Sequence, residues 1–243
     1  PALAIVMERE IWPNLFGECR RRRIPIVLAS ARISERSAVR HRKFASLFRD
    51  ALSDVTVAAQ TTQDADRYAS VGAPRVLVTG NVKFDIEVPL AAREAGETLR
   101  AAQFSDRPVW VAGSTHDGEE QQILAAHRAV TAQRPDALLV LVPRHPNRFD
   151  AVRAWLKSEQ VEFASRSRNE TVNAATSVLL VDTLGELMMF YAAADIAFVG
   201  GSLIATVGGH NLLEPAVLQR PILVGPHNFN APDIAQLMID SGA

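Results

Sequence analysis

The most distinctive chemistry in this sequence lies in two linked segments, Gly200-Gly201-Ser202-Leu203 and Gly208-Gly209-His210-Asn211-Leu212-Leu213-Glu214-Pro215. A glycine-rich loop leads there into a predicted helix whose first turn bears a carboxylate. Such a loop can wrap a phosphate with backbone N–H groups. A carboxylate one turn into the helix can accept both hydroxyls of a ribose, as the acidic residue of dinucleotide-binding folds does. A second candidate is Val142-Pro143-Arg144-His145-Pro146-Asn147-Arg148-Phe149. Its prolines stiffen the loop around Arg144 and His145, and arginine is a bidentate partner for phosphate. A surface ion pair would use the same arginine. Two further segments combine small residues with acids: Ala112-Gly113-Ser114-Thr115-His116-Asp117-Gly118-Glu119-Glu120 and Asp182-Thr183-Leu184-Gly185-Glu186-Leu187. Free amides at a helix start attract anions. Both segments also read as plain capping turns, with Thr115 or Asp117 capping the first and Thr183 paired with Glu186 in the second.

The first third of the chain has its own unusual pieces. Glu8-Arg9-Glu10-Ile11-Trp12-Pro13-Asn14 puts two carboxylates after a candidate strand. Ser30-Ala31-Arg32-Ile33-Ser34-Glu35-Arg36-Ser37 follows a second strand, and Gly80-Asn81-Val82-Lys83-Phe84-Asp85 a fourth. Lys83 is expected where a cleft between two domains would open. Residues 1–50 carry eleven Arg/Lys against five Asp/Glu, while the whole chain has a net charge of −1. The run Arg20-Arg21-Arg22-Arg23 and the group Arg32, Arg36, Arg40, Arg42 and Lys43 make this half basic. A basic half suits a membrane surface, a nucleic acid or a phosphorylated substrate, or only a solvated helix face. On one helix, positions 32, 36, 40 and 43 would share a side.

These segments need strands to carry them. Short apolar runs occur at Leu3–Met7, Pro25–Ala29, Val55–Ala59, Arg75–Thr79, Val109–Ala112, Leu138–Val142, Val178–Val181, Ile196–Val199 and Ile222–Val224. Helical patterns lie between most of them, including Ser34–Arg49, Glu119–Arg134 and Phe149–Gln160. Alternation of this kind predicts βαβ units and parallel sheets. Uninterrupted apolar strands such as Ala137–Val142 are what a sheet covered on both faces requires. Ligands of such sheets bind beyond the carboxyl ends of the strands, where the segments above fall. Residues 84–90 read as a linker, giving a first domain over 1–88 and a second over 89–243.

With 48% hydrophobic and 22% charged residues, the composition is that of a globular protein. No apolar run approaches the ~18 residues of a membrane span. The single cysteine, Cys19, excludes an internal disulfide. No His/Cys cluster with ligand spacing is present, and no metal is expected. The chain opens without methionine and is expected to be incomplete at both ends.

Taken together, the segments Met7–Asn14, Ala31–Ser37, Gly80–Asp85, Ala112–Glu120, Pro143–Phe149, Val181–Met188, Gly200–Leu203, Gly208–Pro215 and Gly225–Phe229 resemble one family. It is the 3-deoxy-D-manno-octulosonic acid (Kdo) transferases, which glycosylate lipid A precursors. The resemblance implies an α/β fold of the GT-B class, two Rossmann-like domains with parallel sheets, the first truncated here. It implies CMP-Kdo as donor substrate in the second domain and a phosphorylated glucosamine disaccharide lipid (lipid IVA) as acceptor. Transfer would invert the anomeric centre without cofactor or metal, at an anionic membrane surface on the cytoplasmic face of the inner membrane. No nucleic acid partner is implied. Contacts to CMP carry over to Pro143 and Arg144, to Gly185, Glu186 and Leu187, and to Asn211, Leu212, Leu213 and Glu214. Residues assisting the transition state carry over to Glu8 and Lys83. The sequence departs from the family at Met7-Glu8-Arg9-Glu10, where threonine is usual at the third position, and Glu10 is a rival to Glu8. The family's general base is a glutamate in a region that precedes residue 1, so none is assigned, and this stretch alone is expected to be inactive. A nucleotide-sugar epimerase using His116 and His210, and a non-enzymatic nucleotide- or lipid-binding scaffold, are the competing readings.

Overall fold

A computed structural model describes residues 1–87, 89–230 and 232–241. The chain divides into two compact units, Pro1–Asp85 and Ile86–Ala243. The boundary expected from sequence falls at Val88, which lies outside the described residues.

The first unit is built on a four-stranded parallel sheet of β1 (Ala4–Met7), β2 (Ile26–Ala31), β3 (Val55–Ala59) and β4 (Arg75–Val78), ordered as in the chain. Helices α1 (Pro13–Arg21), α2 (Glu35–Lys43), α3 (Ala45–Leu52) and α4 (Thr62–Ser70) connect the strands. Ile26 and Leu28 of β2 and Val55 and Val57 of β3 are buried with Phe16 and Cys19 of α1, Ala38 of α2, Leu52 of α3 and Tyr68 of α4. Pro13 opens α1, where its missing N–H costs nothing. Ser34 caps α2 by accepting from the Ser37 N–H.

The single helix expected over Ser34–Arg49 is two helices. Phe44 leaves helical geometry at φ −117° and ψ 38°, and its N–H closes the last turn of α2 on the His41 carbonyl. The rings of His41 and Phe48 stack across this corner with centroids 3.8 Å apart. Arg32 precedes α2, so the shared basic face is corrected to Arg36, Arg40 and Lys43. The arginine run is largely neutralised by local acids. Arg20 pairs with Asp50 and Asp54, and Arg21 and Arg22 pair with Glu18.

The second unit holds a six-stranded parallel sheet in the order β10-β9-β5-β6-β8-β7. Its strands are β5 (Val109–Thr115), β6 (Leu138–Pro143), β7 (Phe163–Ser165), β8 (Val178–Leu180), β9 (Ile196–Val199) and β10 (Ile222–Val224). The helices are α5 (Leu90–Leu99), α6 (Glu119–Thr131), α7 (Phe149–Ser158), α8 (Leu187–Ala193), α9 (Leu213–Val217) and α10 (Pro232–Ser241). Side chains alternate across a strand, and the two faces are both covered. Val109, Val111, Leu138, Val140 and Val142 face Leu99 of α5 and Phe190 and Tyr191 of α8. Ala112, Leu139, Leu141, Val178 and Leu180 face Ile123 and Leu124 of α6 and Val152 and Leu156 of α7. This is why β6 reads as an unbroken apolar run.

Both sheets carry an irregularity at the carboxyl end of an internal strand. The β2–β3 register shifts between Leu28 and Ala31, and Ser30 there has φ +47°. The β5–β6 register shifts between Gly113 and Thr115, and Ser114 has φ +57°. A bulge re-aims the residues that follow it, and non-glycine residues at positive φ persist only where packing enforces them. Among the described residues, no helix is long and apolar enough to cross a membrane.

Candidate functional site

In the second unit the ends of β5, β6 and β9 meet the loops before α8 and α9 around a cleft of about 310 Å³. Arg144, Gly185, Leu187, Asn211 and Glu214 line it, together with Ser114, Met188, Tyr191, Val199 and His210. Arg144 follows the last residue of β6, and its N–H donates to the Thr115 carbonyl at 2.9 Å. That bond joins the Pro143–Arg144 turn to the β5 bulge.

The remaining sequence candidates sit differently. Pro143 ends β6 in register with Thr115. Leu212 and Leu213 are buried with Val199, Ile234 and Ala235 in a small core under α9. Glu186 accepts from Arg166 at 2.7 Å and from the Thr183 hydroxyl, and the Arg166 bond holds its carboxyl below the usual range. Thr183 is therefore not the helix cap; Glu186 itself stands at the N-cap position of α8.

The glycine-rich walls are held by a carboxylate that sequence reading treated as a helix-start acid. Glu119 is fully buried and accepts three backbone N–H bonds, from His116 at 2.8 Å, Gly201 at 2.7 Å and Leu203 at 3.0 Å. It ties the start of α6 to a loop more than eighty residues later in the chain. A Cβ on Gly200 would lie 2.5 Å from the Ser114 carbonyl oxygen, so only glycine lets β9 end this close to the bulge. Glu120, also buried, accepts from the Thr115 hydroxyl at 2.9 Å and from Arg148 at 2.7 and 3.1 Å. Neither Thr115 nor Asp117 caps α6, because Gly118 occupies that position in the left-handed region.

Asp182 follows β8 and opens the loop that carries Gly185. Burial opposes its ionisation, but bonds from the Ser167 N–H, the hydroxyls of Ser165 and Ser167, and Arg153 outweigh it and hold the carboxyl at about 2.

The cleft's own titratable groups are tuned the other way. Burial pushes the Glu214 carboxyl up, partly offset by the Asn211 amide, which donates to it at 3.2 Å, and by Arg144. Burial also pulls His210 down to about 4, assisted by His116 and Arg144. His116 is lowered chiefly by burial and then by His145. Tyr191 is pushed far up by burial. The result is a half-apolar cleft with an exposed guanidinium, a carboxyl that ionises reluctantly, and imidazoles whose charged form burial disfavours. Such a site favours an anion carrying hydroxyl groups. Among the described residues, no group of three or more His, Cys, Asp or Glu is placed to hold a metal.

Met188 and Tyr191 carried no sequence signal beyond their spacing. They lie one and four positions after Leu187 on α8, so one face of that helix continues the wall.

The first unit has a separate cluster at its strand ends. Glu8 follows β1 with φ +55°, and the Lys83 ammonium lies 2.5 Å from its carboxylate. This contact, ahead of an opposing burial effect, holds Glu8 below the usual carboxylate range. The turn carrying Lys83 is pinned by two bonds. The Val82 N–H donates to the Ser30 hydroxyl at 2.9 Å, and the Lys83 N–H donates to the Asn81 side chain at 3.0 Å. Gln60 extends the support by donating to the Ser30 carbonyl at 2.9 Å. The bulge at Ser30 thus positions Lys83 opposite Glu8.

Comparison with known proteins agrees with this architecture. Residues 1–86 match the family model described as 3-deoxy-D-manno-octulosonic-acid transferase (kdotransferase). The chain is 45% identical over 243 residues to a 3-deoxy-D-manno-octulosonic acid transferase of Haemophilus influenzae, covering 99% of this chain and 57% of that protein. Among solved structures it is similar to the C-terminal CMP-Kdo binding domain of WaaA from Acinetobacter baumannii, with 39% identity and a TM-score of 0.61 over 63% of this chain and 80% of that one. A UDP-GlcNAc 2-epimerase from Neisseria meningitidis is 16% identical with a TM-score of 0.53, covering 99% of this chain and 68% of that one, a likeness of fold. The α/β architecture with two parallel sheets is that of the GT-B class, as expected from sequence. The chain spans somewhat more than half the length of the 3-deoxy-D-manno-octulosonic acid transferases it matches. With its amino-terminal residues matching the family model and the chain 39% identical to the CMP-Kdo binding domain of WaaA, the chain belongs to the Kdo transferase family.

Proposed function

We propose that this chain contributes the donor site and part of the acceptor-side unit of an enzyme that moves Kdo from CMP-Kdo to a phosphorylated glucosamine disaccharide lipid such as lipid IVA. The observation that carries the reading is the cleft itself: Arg144, Asn211 and Glu214 converge beside glycine-rich backbone in a chain 39% identical to a CMP-Kdo binding domain. Arg144 is suited to the phosphate, and Glu214 with Asn211 to the ribose hydroxyls. In the reaction the acceptor hydroxyl would lose its proton to a base and attack the Kdo anomeric carbon as the bond to the CMP phosphate breaks, inverting that centre. Arg144 would stabilise the departing anion. In the first unit, Lys83 would offset negative charge on the reacting sugar, and the ionised Glu8 would hold that ammonium in place.

The test is calorimetry of CMP binding to the 243-residue chain. Arg144→Ala and Glu214→Ala are each expected to weaken binding by about 1–3 kcal/mol, the cost of losing one charged hydrogen bond. Unchanged affinity in both folded variants would remove these residues from the site.

The transfer reaction is expected to need no metal, because a guanidinium and backbone amides can neutralise the phosphate. Assays of the full-length enzyme in EDTA should match those without chelator. Loss of activity in EDTA with recovery on adding Mg²⁺ would overturn this.

A further inference from the structure

The cleft contains a contact that nucleotide recognition as set out above does not use. The Nε2 atoms of His116 and His210 are 2.7 Å apart, with the rings only 14° from parallel. Two imidazoles in this arrangement must share a proton, one nitrogen donating and the other accepting. His210 lines the cleft, whereas His116 follows the β5 bulge and belongs to the loop held by Glu119. The charged groups around the pair come from several elements. Arg144 and His145 face it from the β6 loop, and the His145 ring packs edge-on against His116 with centroids 5.0 Å apart. Glu119 and Glu120 approach from the start of α6, and Arg148 from the turn before α7. The two carboxylates are already engaged, Glu119 by three backbone N–H groups and Glu120 by Arg148 and Thr115. The pair is therefore left with cationic neighbours and little free negative charge, and burial disfavours its charged form.

A phosphate entering beside Arg144 reverses that balance. We infer that His116 and His210 form a proton-sharing pair that takes up one proton from solvent when an anionic phosphoryl group occupies the cleft, so that His210 presents a cationic N–H to the group. The proton returns to solvent when the nucleotide leaves, and no covalent bond changes. His210 is then a direct phosphate contact, and His116 a positioning residue that stores half of the shared charge. The inference rests on the reading of the cleft as a CMP site.

The sign follows from linkage. The protonated pair is favoured in the complex, so affinity falls as pH rises, by up to tenfold per pH unit for one proton taken up. Above pH 7 the phosphate of CMP is already a dianion (second pKa about 6), so it contributes few protons of its own. Calorimetry of CMP binding to the 243-residue chain at pH 7.5, in buffers of different ionisation enthalpy, should show close to one proton taken up per CMP bound. His210→Gln and His116→Gln should each abolish the uptake. In the wild-type chain, the ring ¹⁵N resonances of both histidines should move towards imidazolium values on adding CMP, a readout that does not depend on a variant folding. CMP binding without proton uptake, or histidine resonances that stay neutral, overturns the pair. Uptake that survives in His116→Gln but not in His210→Gln assigns the proton to His210 alone and also overturns it. Failure of the wild-type chain to bind CMP at all rejects the donor-site reading, and the inference with it.

Discussion

Replacing Arg148 by methionine is expected to destabilise the second unit by about 3–5 kcal/mol, because it strands a buried carboxylate. The Glu120 side chain is 2% exposed and takes two hydrogen bonds from Arg148. Without the guanidinium, among the described residues only the Thr115 hydroxyl remains to it. Methionine keeps most of the volume of the arginine stem, so the loss is chiefly electrostatic. The double variant Glu120→Met/Arg148→Met should recover most of the stability, since it buries no charge. Urea unfolding followed by the fluorescence of Trp110 and Trp155, both in this unit, gives the double-mutant cycle. A loss of less than 1 kcal/mol in Arg148→Met, or a double variant no better than the single, would show that Glu120 is held by something else. The effect should reach function as well. Arg148 ends the turn that follows Arg144 and His145 and also pairs with Asp117 at 3.0 Å, so the single variant should bind CMP more weakly even where it folds.

This pair shows which part of the site could be read from sequence. The strands were legible because their burial is written as continuous apolar runs; Val55–Ala59, Ile196–Val199 and Ile222–Val224 fall where the sequence puts them. The three-residue strand Phe163–Ser165 was not, since one aromatic, one alanine and one serine carry no period. Loops at the carboxyl ends of strands followed from topology, and Arg144, Gly185, Leu187, Asn211 and Glu214 do line one cleft. What sequence could not show is where an acid sends its hydrogen bonds. Glu119 and Glu120 look like dipole-favoured residues at a helix start, yet one binds backbone at Gly201 and Leu203 and the other a guanidinium at Arg148. Those partners are distant in sequence, and no local rule connects them. The same holds for His116 and His210, which belong to different strand ends and meet only because β5 and β9 are neighbours. The break at Phe44 was hidden because a helical period runs through it.

That break has a consequence at the surface. Arg36, Arg40 and Lys43 stand three or four residues apart on α2, and Val39, three after Arg36 and four before Lys43, shares their side of it. Val39 is 42% exposed, and at the corner Phe44 is 59% and Leu47 53% exposed. Among the described residues, none of Arg36, Arg40 and Lys43 takes part in an ion pair, whereas Arg42 pairs with Glu35. Basic side chains around exposed apolar ones suit an anionic bilayer, with the apolar groups at the headgroup level and the cations on lipid phosphates. Each basic residue near such a surface contributes on the order of 1 kcal/mol. Replacing Arg36, Arg40 and Lys43 by alanine together should therefore weaken binding to anionic vesicles by roughly 100-fold. Phe44→Ser should weaken it with less dependence on salt, since burial of an aromatic ring is not screened. Sedimentation of the 243-residue chain with vesicles tests both. The wild-type chain should bind anionic vesicles, ignore neutral ones and be released by high salt. Equal binding to the two vesicle types, or a triple variant that binds as well as wild type, would reduce these residues to a solvated surface, the outcome that their local pairing already gives Arg20, Arg21 and Arg22.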